Sequence, residues 1–155
     1  MEEKKEADDM IDFEWEEDYD LGEPEGALHI QSVEEPVRTV FDSGTVLYRN
    51  SKGEFHRTDG PAVEWPDVTT EWWFNGLKHR SDGPAIEGAN GDRYWYVNGL
   101  LHRTDGPAIE YADGTKEWWL NGLPHRADGP AIEWDDGARE WWICGVRRED
   151  LEGKE

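Results

Sequence analysis

One cysteine, Cys144, stands among 155 residues, so no disulfide can form within the chain. Basic residues are also scarce, at 16 Lys and Arg against 37 Asp and Glu, which gives a formal net charge of -21. Nucleic acids and anionic lipids need a positive face to displace counterions or reach headgroups, so this balance disfavours both as direct partners. A long apolar run of about 18 residues is lacking, as is a charged-then-apolar leader, and the expectation is a protein of the reducing cytoplasm, a host's cytoplasm if the source is viral. With a mean hydropathy of -0.95, there is little aliphatic material for a closed core.

Rings take its place: ten Trp, five Tyr and four Phe. The charge is uneven, because residues 1–35 hold 15 acidic side chains and two lysines. Within this acidic segment Ile11, Phe13 and Trp15 alternate with Asp12, Glu14 and Glu16, a period of two that suits an edge strand or a segment that orders on binding. Asp12, Glu14, Trp15, Glu16, Glu17 and Asp18 are therefore candidate partner-binding residues. A strongly acidic chain attracts a cationic partner and repels others.

From residue 56 the sequence repeats. His56, His79, His102 and His125 each open a copy of His-Arg-x-Asp-Gly-Pro-Ala-[Val/Ile]-Glu, always 23 residues apart. A partial unit, 36–55, precedes the copies at 56–78, 79–101, 102–124 and 125–148, and a charged tail, 149–155, follows. Atypical end units are what a stack of repeats needs, since a terminal unit faces water on one side. Each copy reads as a hairpin of two strands: Pro107–Tyr111, a turn at Ala112-Asp113-Gly114, then Lys116–Leu120 closed by Asn121-Gly122. A two-residue turn would set Glu110 opposite Glu117, whereas a type I turn with a glycine bulge sets Glu110 opposite Lys116, Glu87 opposite Arg93 and Glu133 opposite Arg139. The bulged register is expected. The first copy has Trp65-Pro66-Asp67-Val68 at this turn, and a looser or different shape is expected there.

Trp72, Trp95, Trp118 and Trp141 share one repeat position, and Trp73, Tyr96, Trp119 and Trp142 the next, so the two ladders point to opposite faces. The first, joined by Phe74, Val97, Leu120 and Ile143, is expected to form the packed spine. The second is the candidate partner-binding face, because large rings dominate interface hot spots; the same rings would serve equally for packing within a homodimer. Fold class follows: an all-β, elongated antiparallel meander of stacked hairpins, two strands per repeat.

The recurring Gly-x-x-x-Glu-Trp-Trp-x-Asn-Gly-Leu-x-His-Arg-x-Asp-Gly-Pro-Ala-Ile-Glu resembles the MORN-like repeats over residues 36–148, in a variety similar to that of phage and giant-virus proteins. That resemblance implies a stiff β-meander used as a scaffold or binding surface. No convergent catalytic set, phosphate-cradling glycine loop or metal-ligand pair accompanies it, since the His-Arg-Asp trio recurs along the repeat instead of gathering once. The reading is a non-enzymatic acidic binding protein without cofactor or metal. Its leading form is a phage-type inhibitor or decoy, mimicking DNA to block a host or defence protein with a basic surface. The alternative is a scaffold or immunity-type partner that binds through the aromatic face.

Overall fold

The computed structural model describes residues 35–149. The partial unit forms β1 (Val37–Val40) and β2 (Val46–Arg49), and the first full copy forms β3 (Val63–Glu64), β4 (Thr70–Glu71), β5 (Trp73–Phe74) and β6 (Leu77–Lys78). The second copy gives β7 (Ile86–Glu87), β8 (Arg93–Tyr94), β9 (Tyr96–Val97) and β10 (Leu100–Leu101). The third gives β11 (Ile109–Glu110), β12 (Lys116–Glu117), β13 (Trp119–Leu120) and β14 (Leu123–Pro124). The fourth gives β15 (Ile132–Glu133), β16 (Arg139–Glu140), β17 (Trp142–Ile143) and β18 (Val146–Arg147). Ten of these strands build one antiparallel sheet in the order β1-β2-β3-β4-β7-β8-β11-β12-β15-β16, and the other eight pair off as four separate hairpins. The hairpin-repeat meander expected from the sequence is present.

Each copy gives the main sheet two strands, as expected, but the second run does not stay there as one strand. It breaks at the first Trp of each pair. The Trp72 amide donates to the Ala85 carbonyl of the next copy at 2.7 Å, while the Trp72 carbonyl accepts from His79 N–H at 3.1 Å. Its backbone thus belongs to two ladders. Trp73-Phe74 then leaves the main sheet and pairs with Leu77-Lys78 across Asn75-Gly76. Both turn residues have positive φ, 47° and 77°, which is the type I′ geometry that Asn-Gly adopts at low cost. A copy therefore holds two hairpins.

The main-sheet register is the bulged one: Glu110 faces Lys116, Glu87 faces Arg93 and Glu133 faces Arg139. The same turn shape occurs in the first copy, which corrects the expectation of a different one. Trp65 N–H donates to the Thr69 carbonyl at 2.9 Å and Val68 N–H to the Trp65 carbonyl at 3.1 Å, matching the Tyr111–Thr115 and Gly114–Tyr111 bonds of the third copy. Sheet pairing on both sides imposes the turn despite the residue, and Val68 is held at φ 70° where Gly91, Gly114 and Gly137 stand in the other copies. A β-branched side chain in the left-handed region is strained by about 1–2 kcal/mol. Val68 is 77 % exposed, so its side chain contributes little burial in return. Val68→Gly is expected to stabilise the protein by about 1 kcal/mol after the extra backbone entropy of glycine is counted, read as a rise in the denaturant midpoint.

The expected spine is also corrected. Trp72, Trp95, Trp118 and Trp141 are only half-buried, and Phe74 is exposed. The fully closed positions are Ala62, Ala85, Ala108 and Ala131, each at 0 % exposure, flanked by the buried Val63 and Ile109. Each alanine sits where a strand crosses from one copy to the next: Ala108 N–H donates to the Glu117 carbonyl, and its own carbonyl accepts from Trp95 N–H, both at 2.8 Å. Sequence alternation places these methyl groups and the first Trp ladder on one face of the sheet, where larger side chains arch over the alanines. The core is a line of methyls.

Candidate functional site

The rings of this ladder are covered by arginine. Arg57, Arg80, Arg103 and Arg126 lie flat on Tyr48, Trp72, Trp95 and Trp118, with the guanidinium carbon 4.0 to 4.1 Å from each ring centre. In the third copy Arg103 donates through Nε to Asp105 at 2.8 Å, and through Nη1 to the Pro107 carbonyl and to Glu110 Oε1, both at 3.1 Å. The other copies repeat this set. The glycine of Asp-Gly-Pro makes room for it. A Cβ built on Gly106 would lie 2.9 Å from the Arg103 guanidinium carbon, with Gly60, Gly83 and Gly129 in the same situation. Each Asp has one oxygen on its Arg, and this bond followed by the Arg charge holds Asp59, Asp82 and Asp105 below the usual carboxylate range. Burial alone would lower Arg57, but the hydrogen bond to Asp59, then the charges of Tyr48, Asp59 and Glu64, raise it.

The four histidines are also structural partners. Nδ1 of His56, His79 and His102 accepts the N–H of Asn75, Asn98 and Asn121 at 3.1 to 3.2 Å, fixing one type I′ turn each. His125 does the same for Cys144 N–H at 3.1 Å. Among the described residues no three His, Cys, Asp or Glu side chains come close enough to hold a metal ion. Cys144 is exposed and takes the positive-φ turn position that Asn holds in the other copies, at φ 48°.

The candidate binding rings Trp73, Tyr96, Trp119 and Trp142 do fall in one line on the opposite face, half-buried. Their polar tips are used inside the protein. Trp73, Trp119 and Trp142 donate Nε1–H to Glu71, Glu117 and Glu140, each two residues earlier at the end of the preceding strand, at 3.0, 2.8 and 2.8 Å. Lys78 lies over both Trp73 and Tyr96. Asp12, Glu14, Trp15, Glu16, Glu17 and Asp18 lie outside the described residues. On this same face Tyr94 sits edge-on to Tyr111 at 5.9 Å and donates to Asp92. Burial, then the Asp92 and Tyr111 charges, push Tyr94 up from 10.0 to about 12. The folded chain keeps this proton across the window from 10 to 12 where the unfolded chain has lost it, so the contribution is intact below pH 10 and vanishes as pH rises through that range. Burial raises Tyr96 and Tyr111 in the same direction, so tyrosinate absorbance is expected to show late titration in which Tyr94 takes part and a loss of stability over that window, both diminished in Tyr94→Phe.

The sequence reading did not foresee the clefts. Between successive Arg-x-Asp-Gly loops the arginine face opens into a recurring cleft, with volumes of about 590, 520 and 250 Å³ in three consecutive positions. The largest is floored by Trp118 and Leu120, walled by His125, and rimmed by Asp105 and Asp128. Beside it stand exposed leucines: Leu77, Leu100 and Leu123, at 47 to 49 % exposure, are the cross-strand partners of Phe74, Val97 and Leu120. The signal available in the sequence was the Leu after Asn75-Gly76, Asn98-Gly99 and Asn121-Gly122, an apolar residue with no place in the main sheet. No protein-family model and no curated protein matches this chain.

Proposed function

We propose that this chain is a non-enzymatic binding protein of the MORN-like kind, acting in the cytoplasm on a basic macromolecular partner, and that the repeat ladder carries the recognition. The observation behind this reading is the groove: a cleft with an aromatic ring on its floor and arginines and aspartates around it recurs at three consecutive positions. Similar shallow sites in a row suit an extended surface or chain, whereas catalysis gathers unlike groups at one point.

Phosphate mimicry by the repeats themselves is the weaker form. The described residues hold 20 acidic and 13 basic side chains, a net of -7. Nine strand-to-strand steps of about 4.8 Å spread this over about 43 Å, roughly one net charge per 6 Å, against one per ~1.7 Å along duplex DNA. A decoy role that blocks a host or defence protein remains the second reading, and it rests on residues 1–35, with 15 acidic side chains and two lysines. Truncation separates the two. Affinity capture with the full chain and with a chain starting at residue 36 is expected to retain the same basic proteins, eluted by salt. Loss of every captured protein on truncation would transfer the recognition to the acidic segment, and capture of acidic proteins alone would overturn both readings.

A further inference from the structure

We propose that the small hairpins of the four copies form an interface for a second copy of this chain, seated antiparallel across a two-fold axis; this goes beyond the binding reading above and does not depend on it. The first observation is where acid is missing. The stretches 72–79, 95–102, 118–125 and 141–148 each carry one small hairpin and hold no Asp or Glu in 32 residues, while the other residues of 56–148 hold 16. Two chains that each carry a formal charge of -21 repel over most of their surface, so they close on each other only where that charge is absent.

Exposure is the second. On these hairpins Phe74, Leu77, Leu100, Leu123 and Val146 are 43 to 62 % exposed. A Cβ built on Gly99, Gly122 or Gly145 would lie 3.2 to 3.3 Å from Leu77, Leu100 or Leu123, so each leucine rests on the turn of the next copy and the stripe runs unbroken through the four hairpins. Five side chains of this size, about half exposed, leave on the order of 400 Å² of apolar surface, comparable to the largest patch on a typical monomer, which is often functional. Two copies together cover on the order of 800 Å² of it. With the Asn and His side chains alongside, the contact reaches the low end of specific interfaces, about 1,200 Å², which suits a weak, reversible dimer.

The ends of the stripe set the direction. In the partial unit Glu54 takes the leucine's place, beside Gly76, and Lys52 in the same turn offsets its charge. At the far end Val146 is followed by Arg147 and Arg148. Parallel copies would set the two arginine pairs side by side, whereas antiparallel copies set each pair against Lys52 and Glu54. A two-fold contact of this kind closes on itself, since the same patch serves both copies and growth stops at two. The first hairpin of one copy then lies opposite the fourth of the other, and the second opposite the third.

Sedimentation velocity of the full chain from about 1 μM to about 1 mM is expected to show the 17.9 kDa monomer passing into a species of twice that mass. Raising salt from about 0.05 to about 0.5 M should strengthen this association severalfold, because self-repulsion is screened while apolar burial is kept. Leu77→Gln, Leu100→Gln and Leu123→Gln combined should weaken it about tenfold or more. Cys144 supplies a check that does not depend on how that variant folds. Asn75→Cys puts a second thiol in the first turn at the φ that Cys144 adopts in the fourth, 47° against 48°. A short bis-maleimide should then link two copies of Asn75→Cys and leave the parent chain, whose two thiols lie at opposite ends of the dimer, unlinked. A chain that stays monomeric throughout, association that salt weakens, or equal linking of parent and variant overturns the inference. So does a monomer whose triple variant loses its captured proteins, which would hand the stripe to a foreign partner and leave the binding reading in place.

Discussion

Ala108→Leu is expected to destabilise the protein by about 3 kcal/mol, the largest effect of any single apolar substitution in the ladder. Ala108 has no exposed surface, and its amide and carbonyl are both held at 2.8 Å by strands on either side. Three added carbon atoms have no unoccupied volume to enter, and forcing them into a close-packed position costs about 1–3 kcal/mol and sometimes more. The upper part of the range applies because the position cannot yield on one side alone. The strand before it belongs to the second copy and the strand after it to the third, so widening either pairing disturbs the ladder in both directions. Denaturant unfolding reads the loss directly, and Ala62→Leu, Ala85→Leu and Ala131→Leu should behave alike. A cost below about 0.5 kcal/mol would mean that the methyl line is not the core.

Arg103→Ala should cost about 2–3 kcal/mol, more than its place near the surface suggests. The substitution uncovers Trp95, removes the donor to the Pro107 carbonyl and leaves the largely covered Glu110 with only Arg93. A partly desolvated cation–π contact contributes about 1–2 kcal/mol, and hydrogen bonds to a charged group contribute about as much again. Lysine should recover less than half of the loss, because a point charge on a flexible stem cannot lie flat on the ring and serve two carboxylates and a carbonyl together. Asp105→Asn, by contrast, removes only an exposed partner and should leave the denaturant midpoint almost unchanged. If Arg103→Lys were as stable as the parent, the stack would be an incidental contact.

Much of the ladder was legible because it depends on periodicity and on pairs of charges. Glu110 and Lys116 meet across a hairpin, so the register that avoids facing carboxylates could be chosen from the sequence. The division of the second run was harder to see. Glu117-Trp118-Trp119-Leu120 reads as one strand, and only the backbone of Trp118, whose amide serves Ala131 and whose carbonyl serves His125, reveals that two ladders meet there. A signal did exist: a two-residue Asn-Gly turn demands strands symmetric about it, and Trp119-Leu120 with Leu123-Pro124 provides them. Arginine over tryptophan left no local trace, since Arg103 and Trp95 lie eight residues apart in no helical or strand register. Bulk misled as well. Large rings were given the core on size alone, while the sheet crossings admit nothing larger than a methyl group and leave the rings to cover it.

Amide hydrogen exchange on the native chain tests the ladder most directly. If strands of successive copies add edge to edge as described, the slowest amides are those of Ala62, Ala85, Ala108 and Ala131 together with Trp72, Trp95 and Trp118, recurring every 23 residues, while the amides of the x-Asp-Gly residues that follow each repeat Arg exchange quickly. Protection without that period, or fast exchange at the alanine amides, would contradict the account.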